Sequence, residues 1–281
     1  MNRLKKLFIV LSSILLLSSI CGCTEKNESA EEIIKKSFEA QENIKSFSSS
    51  IDMSLSFVSN DSPIDLKLTG NMETISNPSI SKADLILNLS NLLNLNIISY
   101  TKQEGNENNV YTGLKIGDQI TWSKSVSALP ETNISPSSKN NNYFDEAADY
   151  RLVGKEKIND KDTYHIIGSI SKDGMNNILK SFGILDQLKE DEKESFDLLL
   201  SLMEKVEIDI WVYTDSYLEA KLQLDMCDLL KSLVETSPET SADFSEAIVT
   251  ITFDGYNNVN SIEIPQEALD AEESGYEGLL G

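Results

Sequence analysis

The stretch Ser48-Ser49-Ser50-Ile51-Asp52-Met53-Ser54-Leu55-Ser56-Phe57 alternates polar and apolar side chains with a period of two. In a strand, successive side chains point to opposite faces, so Ile51, Met53, Leu55 and Phe57 share an oily face and Ser50, Asp52, Ser54 and Ser56 a wet one. The same alternation recurs in Ile64-Leu66-Leu68, Leu85-Leu87-Leu89 and Leu93-Leu95-Ile97. It returns over Val110 to Lys124, broken at Gly117-Asp118. A parallel sheet covered on both faces would not tolerate the Asp, Asn, Ser and Lys of the second face, so these runs read as an antiparallel meander.

Upstream of the meander, Ser29-Ala30-Glu31-Glu32 is a capping box and predicts a helix running to Lys45. Ala30, Ile33, Ile34, Ser37, Phe38, Gln41 and Ile44 recur at helical spacing, giving one apolar stripe that needs a broad, flat partner. Downstream, Ser127 to Asn142 carries Pro130, Pro136 and an Asn run and reads as a long polar loop. Tyr150 to Ile158 and Thr163 to Ile170 flank the turn 159–162 as a hairpin. Asp173 to Lys205 changes period. Met175, Ile178, Leu179 and Phe182 form one helical stripe, and Phe196, Leu198, Leu199, Leu200, Leu202 and Met203 load a second helix with too many apolar residues for a narrow stripe. That second helix is either sandwiched in the core or lines a greasy cavity. Strands return at Val206 to Tyr213 and Tyr217 to Met226, joined by Thr214-Asp215-Ser216. A short helix follows over Asp228 to Glu235, then a long strand over Ala247 to Tyr256. Ile262-Glu263-Ile264-Pro265 is expected to close that strand, and 266–281 to fray as an acidic tail.

The N-terminus is an address. Arg3, Lys5 and Lys6 precede an apolar run from Leu7 to Ile20, which is shorter than the ~20 apolar residues of a membrane span and has the layout of a secretory signal. It ends in Ile20-Cys21-Gly22-Cys23, which resembles a lipobox, the motif in which a small residue precedes the cysteine that becomes acylated. Cys21 stands where Ala or Ser is usual, so cleavage before Cys21 is an alternative. Ile20 is bulky for the position before the cut, which favours Cys23 as lipid anchor. An ordinary cleaved signal or an uncleaved anchor would equally place the folded part outside the cytoplasm.

The chain has 281 residues, 40% of them hydrophobic, with Gly 13 and Pro 6, a globular composition with room for a sizeable core. Its net charge of -22 argues against nucleic acid as a partner, because phosphate neutralisation needs a basic surface. The same charge is repelled by anionic headgroups, so membrane association falls to acyl chains. A single histidine, His165, leaves little for His-based metal or triad chemistry, and it reads as a surface or rim residue. Cys227 reads as a small half-buried apolar residue, and Trp122 and Trp211 as sheet anchors. The turn 159–162 lacks the length, glycine and terminal Glu of a calcium loop. The nucleophile elbow, the phosphate loop and the zinc motifs are all missing from the sequence, so no enzyme, metal or cofactor assignment follows. Of the sequons at Asn27, Asn60, Asn88 and Asn133, only the last falls in the long loop.

A capped helix directly after the lipobox, then long amphipathic strands with helices inserted late, is similar to the LolA-like superfamily, in particular to LppX/LprG-type lipoproteins. The stretches that carry the resemblance are Ala40 to Met53, Val110-Tyr111 to Trp122-Ser123-Lys124, Tyr150 to Thr163-Tyr164, and Phe253 to Tyr256 with Ile262-Glu263-Ile264-Pro265. It implies an α+β fold, a curved antiparallel sheet forming an open half-barrel with helices on its concave face. The expected layout is a signal peptide at 1–22, a tether at 23–28, one domain at 29–265 and a flexible tail at 266–281. The function so implied is a membrane-anchored, extracytoplasmic carrier of a lipid or other hydrophobic small molecule. Its cavity would be lined by Ile51, Met53, Leu55 and Phe57 together with Met175, Leu179, Phe182, Phe196, Leu199 and Met203. The rival expectation fills that cavity with side chains and leaves a surface module for another envelope protein.

Overall fold

Helix α1, Ala30–Gln41, starts where the capping box places it. Ser29 Oγ accepts from the Glu32 amide at 3.2 Å and the Ser29 amide donates to Glu32 Oε2 at 3.3 Å. It ends four residues earlier than the apolar spacing suggests. The Ile44 amide turns back to the Gln41 carbonyl, Lys45 N donates to Asn257 Oδ1 at 2.8 Å, and Ser46 already pairs in the sheet. Tertiary pairing has taken the last helical turn. The computed structural model describes residues 28–59, 61–90, 92–105, 107–128, 149–170, 206–236 and 242–273. The two helices expected over 173–205 and most of the loop expected over 127–142 lie outside them.

After α1 come β1 Ser46–Ser59, β2 Ser62–Ser76, β3 Ser79–Leu89, β4 Leu93–Glu104, β5 Glu107–Ile116 and β6 Gln119–Ala128. Then follow β7 Arg151–Ile158, β8 Lys161–Ile170, β9 Val206–Tyr213, β10 Glu219–Asp225, helix α2 Cys227–Thr236, β11 Ala242–Tyr256 and helix α3 Gln266–Leu269. The strands form one open antiparallel sheet in the order β6-β5-β4-β3-β2-β1-β11-β10-β9-β8-β7. Two meanders, β1 to β6 and β7 to β11, meet along β1 and β11, where Phe47 pairs with Tyr256 and Ser59 with Ala242. Register shifts at Ser48/Ser49 and Ser56/Phe57 in β1, Glu219/Lys221 in β10 and Leu152/Gly154 in β7 mark bulges, which bend strands and raise their twist. This is the half-barrel that the resemblance implied.

Local chemistry accounts for the turns. Between β7 and β8, Asn159 and Asp160 have φ of 50° and 63°, the left-handed pair that a two-residue hairpin loop of matching twist requires and that Asn and Asp tolerate. The hairpin is tighter than the four-residue turn read from sequence.

α1 lies on one face of the sheet, hereafter the inner face. Ala30, Ile33 and Ile34 form a single buried cluster with Ile166 of β8 and Val206, Ile208, Ile210 and Val212 of β9, and Leu229 of α2 packs against it. The C-terminal segment departs from expectation twice. Ile262 and Ile264 do not continue the sheet. They cross its outer face and pack with the fully buried Ala268 of α3 over Tyr100 and Tyr111. Residues 266–273, expected to fray, are held there, and the Lys124 amide of edge strand β6 donates to the Glu272 carbonyl at 3.2 Å. α3 is thus a helix on the convex side, in addition to the helices expected on the concave face.

Candidate functional site: an uneven apolar face

Strand register assembles the inner face into rows. Ile166, Ile210, Leu222 and Ile251 stand side by side on β8, β9, β10 and β11. The row continues through Ile51, Gly70, Leu85, Ile97 and Leu114 on β1 to β5. One step along, Leu224 and Val249 lead to Met53, Leu68, Leu87 and Leu95. Leu55, Leu66, Leu89 and Leu93 make a third row. The rows form a continuous apolar surface whose polar counterparts, Asp52, Lys67, Asn71 and Asp84 among them, face the other way.

Cover over this surface is not uniform. Beneath α1, Ile166, Ile210 and Val212 are 0% exposed. On β1 to β4 the same rows are half-buried, including Ile51, Met53, Leu55, Phe57, Leu68, Leu87 and Leu95. Leu93, at the end of its row, is exposed. A Cβ built on Gly70 would sit 2.1 Å from the Asp84 carbonyl oxygen, so at this point in the row only glycine lets β2 and β3 approach as they do. Apolar area left partly wet loses the ~25 cal/mol per Å2 that burial brings, so a long oily molecule gains by lying along these rows.

Polar groups under and beside α1 fix its position. Glu28 accepts from the Tyr217 hydroxyl at 2.9 Å, from Tyr164 at 3.3 Å and from the Lys36 ammonium, and Lys36 holds its carboxyl below the ordinary value with help from the two hydroxyls. At the other end of the helix, Gln41 hydrogen-bonds the Glu219 carboxyl. The bulge at Glu219/Lys221 turns that carboxyl inward, and burial pushes it up to about 7. The Tyr256 hydroxyl donates to the Glu219 carbonyl at 2.8 Å.

The outer face carries chemistry of a different kind. Two open depressions of about 360 and 520 Å3 are lined mostly by polar side chains such as Ser48, Asn71, Glu73, Lys82 and Asp84, and by Asp52, Thr69 and Thr250. The first does not suit an apolar ligand; the second is mixed, with Ile51 and Ile86 beside its polar groups. His165, on this face, stacks on Trp211 at 4.4 Å and places its ring nitrogens 2.9 Å from Glu156 and 2.6 Å from Asp209. Trp211 Nε1 donates to Glu156 at 3.0 Å, so this histidine is tied down by sheet neighbours. Among the described residues no cluster of His, Cys, Asp and Glu is arranged to hold a metal ion, and no helix is long and apolar enough to cross a membrane.

Of the sequence-derived site residues, Ile51, Met53, Leu55 and Phe57 lie together on the inner face of β1. Met175, Leu179, Phe182, Phe196, Leu199 and Met203, and the anchor Cys23, lie outside the described residues. Sequence reading missed their neighbours Leu68, Leu87, Leu95, Val249 and Leu224. Period-two alternation marks most of these positions, but alternation does not say which strands pair. Cys227 is half-buried, as expected, with its thiol against the Phe244 carbonyl at 3.5 Å.

Residues 29–273 match the family of unknown function DUF6612, and the chain belongs to that family. No curated protein matches it. Among solved structures it is similar to the Mycobacterium tuberculosis lipoprotein LppX, at 12% identity and TM-score 0.42 over 83% of this chain and 98% of that one. LprF from Mycobacterium bovis is similar at 11% identity and TM-score 0.45, over 84% and 96% of the two chains. A DUF1329 family protein from Desulfovibrio piger is similar at 8% identity and TM-score 0.26, over 84% and 96%.

Proposed function

We propose that this DUF6612 member carries a lipid or another long apolar molecule along the inner face of its half-barrel, outside the cytoplasm and tethered through an acylated Cys23. The observation that carries the reading is the contrast in burial within one continuous apolar surface: closed under α1, half-open from β1 to β4. The ligand lies against Ile51, Met53, Leu55 and Phe57 and the rows beside them, and the apolar positions Met175, Leu179, Phe182, Phe196, Leu199 and Met203 complete its surroundings. Binding needs no reacting group, because area removed from water supplies the affinity and shape selects for chain-like ligands. Residues 1–22 serve as the signal, and 23–28 connect the anchor to α1.

Uptake of a fluorescent fatty acid tests the cargo. The protein from residue 23 onward, carrying Cys23→Ser, should brighten the probe. Paired Leu68→Asp and Leu87→Asp should weaken uptake at least tenfold with the fold retained by circular dichroism, because a charge in an apolar site costs several kcal/mol. Asn71→Asp, on the outer face, should leave uptake unchanged. Equal uptake by all three proteins, or none by any, overturns the reading. Metabolic labelling with palmitate tests the tether: label should enter the full chain and be absent from Cys23→Ser.

A further inference from the structure

Of the nine exposed large apolar side chains among the described residues, five stand at one end of the sheet. The turns joining β1 to β2, β3 to β4 and β5 to β6 all lie at this end, and on or beside them stand Val58, Leu92, Leu93, Ile116 and Ile120. Leu92 is 85% exposed and Ile116 68%. The turns at the opposite end, at Asn77-Pro78, Gly105, Asn159-Asp160 and 214–218, carry no exposed large apolar side chain among the described residues. Glu28, where the chain enters α1, is held at that opposite end by Tyr217.

We propose that the rim formed by Val58, Leu92, Leu93, Ile116 and Ile120 dips into the surface of a lipid bilayer other than the one that holds Cys23, whose six-residue tether enters at the opposite end, and that ligand passes between that bilayer and the protein there. The purpose assigned to the contact rests on the ligand reading above, whereas the contact itself can be measured without ligand. Two observations select a bilayer as the occupant. The rim is continuous with the inner-face rows, since Leu93 pairs with Leu89 at the end of the third row, so an acyl chain leaving the face meets no polar barrier. The apolar side chains are set singly or in pairs on turns that lie two strands, about 10 Å, apart, with Asp61, Ser90 and Gly117-Asp118 between them. Such a comb enters a soft interface, whereas a protein partner needs a contiguous patch. Charge then chooses the kind of bilayer. Asp61, Asp65 and Asp118 flank the rim and the chain carries a net charge of -22, so contact comes by apolar insertion into zwitterionic lipid and is weakened by anionic headgroups.

The test uses the protein from residue 23 onward with Cys23→Ser and Cys227→Ser. This portion contains the whole family match, 29–273, and the cap that begins α1. An environment-sensitive fluorophore is attached through Leu92→Cys or, as control, through Asp160→Cys at the opposite end. With phosphatidylcholine vesicles the label at position 92 should brighten and shift to the blue while that at 160 does not change. Replacing half of the lipid by phosphatidylglycerol should diminish the response. Leu92→Ser with Ile116→Ser should reduce co-flotation with vesicles at least tenfold while leaving uptake of a fatty acid from vesicle-free solution intact. A label at 92 that stays in water with every vesicle, or equal responses at 92 and 160, overturns the rim as a docking surface. In either case the vesicle-free uptake decides the ligand reading separately.

Discussion

Glu219 ties the position of α1 to pH. Its carboxyl is buried beneath the end of the helix, beside Gln41, and burial raises it from 4.5 to about 7. The folded protein therefore favours the protonated form more than the unfolded chain does. The stability this gives is fully present below about pH 4.5 and is lost as pH rises through about 7, a change on the order of 3 kcal/mol from one group. Glu219→Gln should remove this slope and raise the denaturant midpoint at pH 8 relative to the parent, with little change at pH 4. Identical pH profiles for the two proteins would show that the carboxyl is not desolvated. Sequence reading had no route to this residue. Strict alternation along β10 from Leu222 and Leu224 would turn Glu219 outward, and only the bulge at Glu219/Lys221 brings it in. Ser29 was legible, because a cap depends on residues three apart and nothing else.

Elements separate in the same way, by the range of the contacts that make them. The hairpins β5–β6, β7–β8 and β9–β10 were readable as alternation plus a turn, and the rest of the first meander as alternation alone, without its turns at Asn77-Pro78 and Gly105. The β1 to β11 pairing joins residues nearly two hundred positions apart, and no local pattern announces it. The C-terminal segment is the clearest departure. Its acidic composition suggested fraying, yet Ile262, Ile264 and Ala268 close over Tyr100, Tyr111 and Trp122, and Glu272 pairs with the edge of β6. An edge strand with free amides and carbonyls is a template for aggregation, and this segment covers part of one. Truncation after Asn260 should lower the melting temperature by several degrees, shift Trp122 emission to the red as its ring meets water, and increase aggregation on heating. A truncated protein that melts and emits like the parent would show that the segment is an ornament. The helices expected over 173–205 belong to the same scale and fall outside the described residues.

For the whole molecule, the physical claim is that one sheet carries more apolar area on its inner face than its own helix α1 covers. That excess was legible as a pattern before any strand was placed: Ile51, Met53, Leu55 and Phe57 had to face something oily. What register adds is its extent, from β8 to β5, and the division into a closed and a half-open part. The net charge of -22 opposes self-association through such an oily face. Native mass spectrometry of the protein from residue 23 onward with Cys23→Ser, purified without detergent from the producing cells, addresses this claim most directly. The account predicts a population carrying added mass in the range of a lipid, released by collisional activation and much reduced by paired Leu68→Asp and Leu87→Asp. A single bare species, unchanged after incubation with lipid extract, would contradict it.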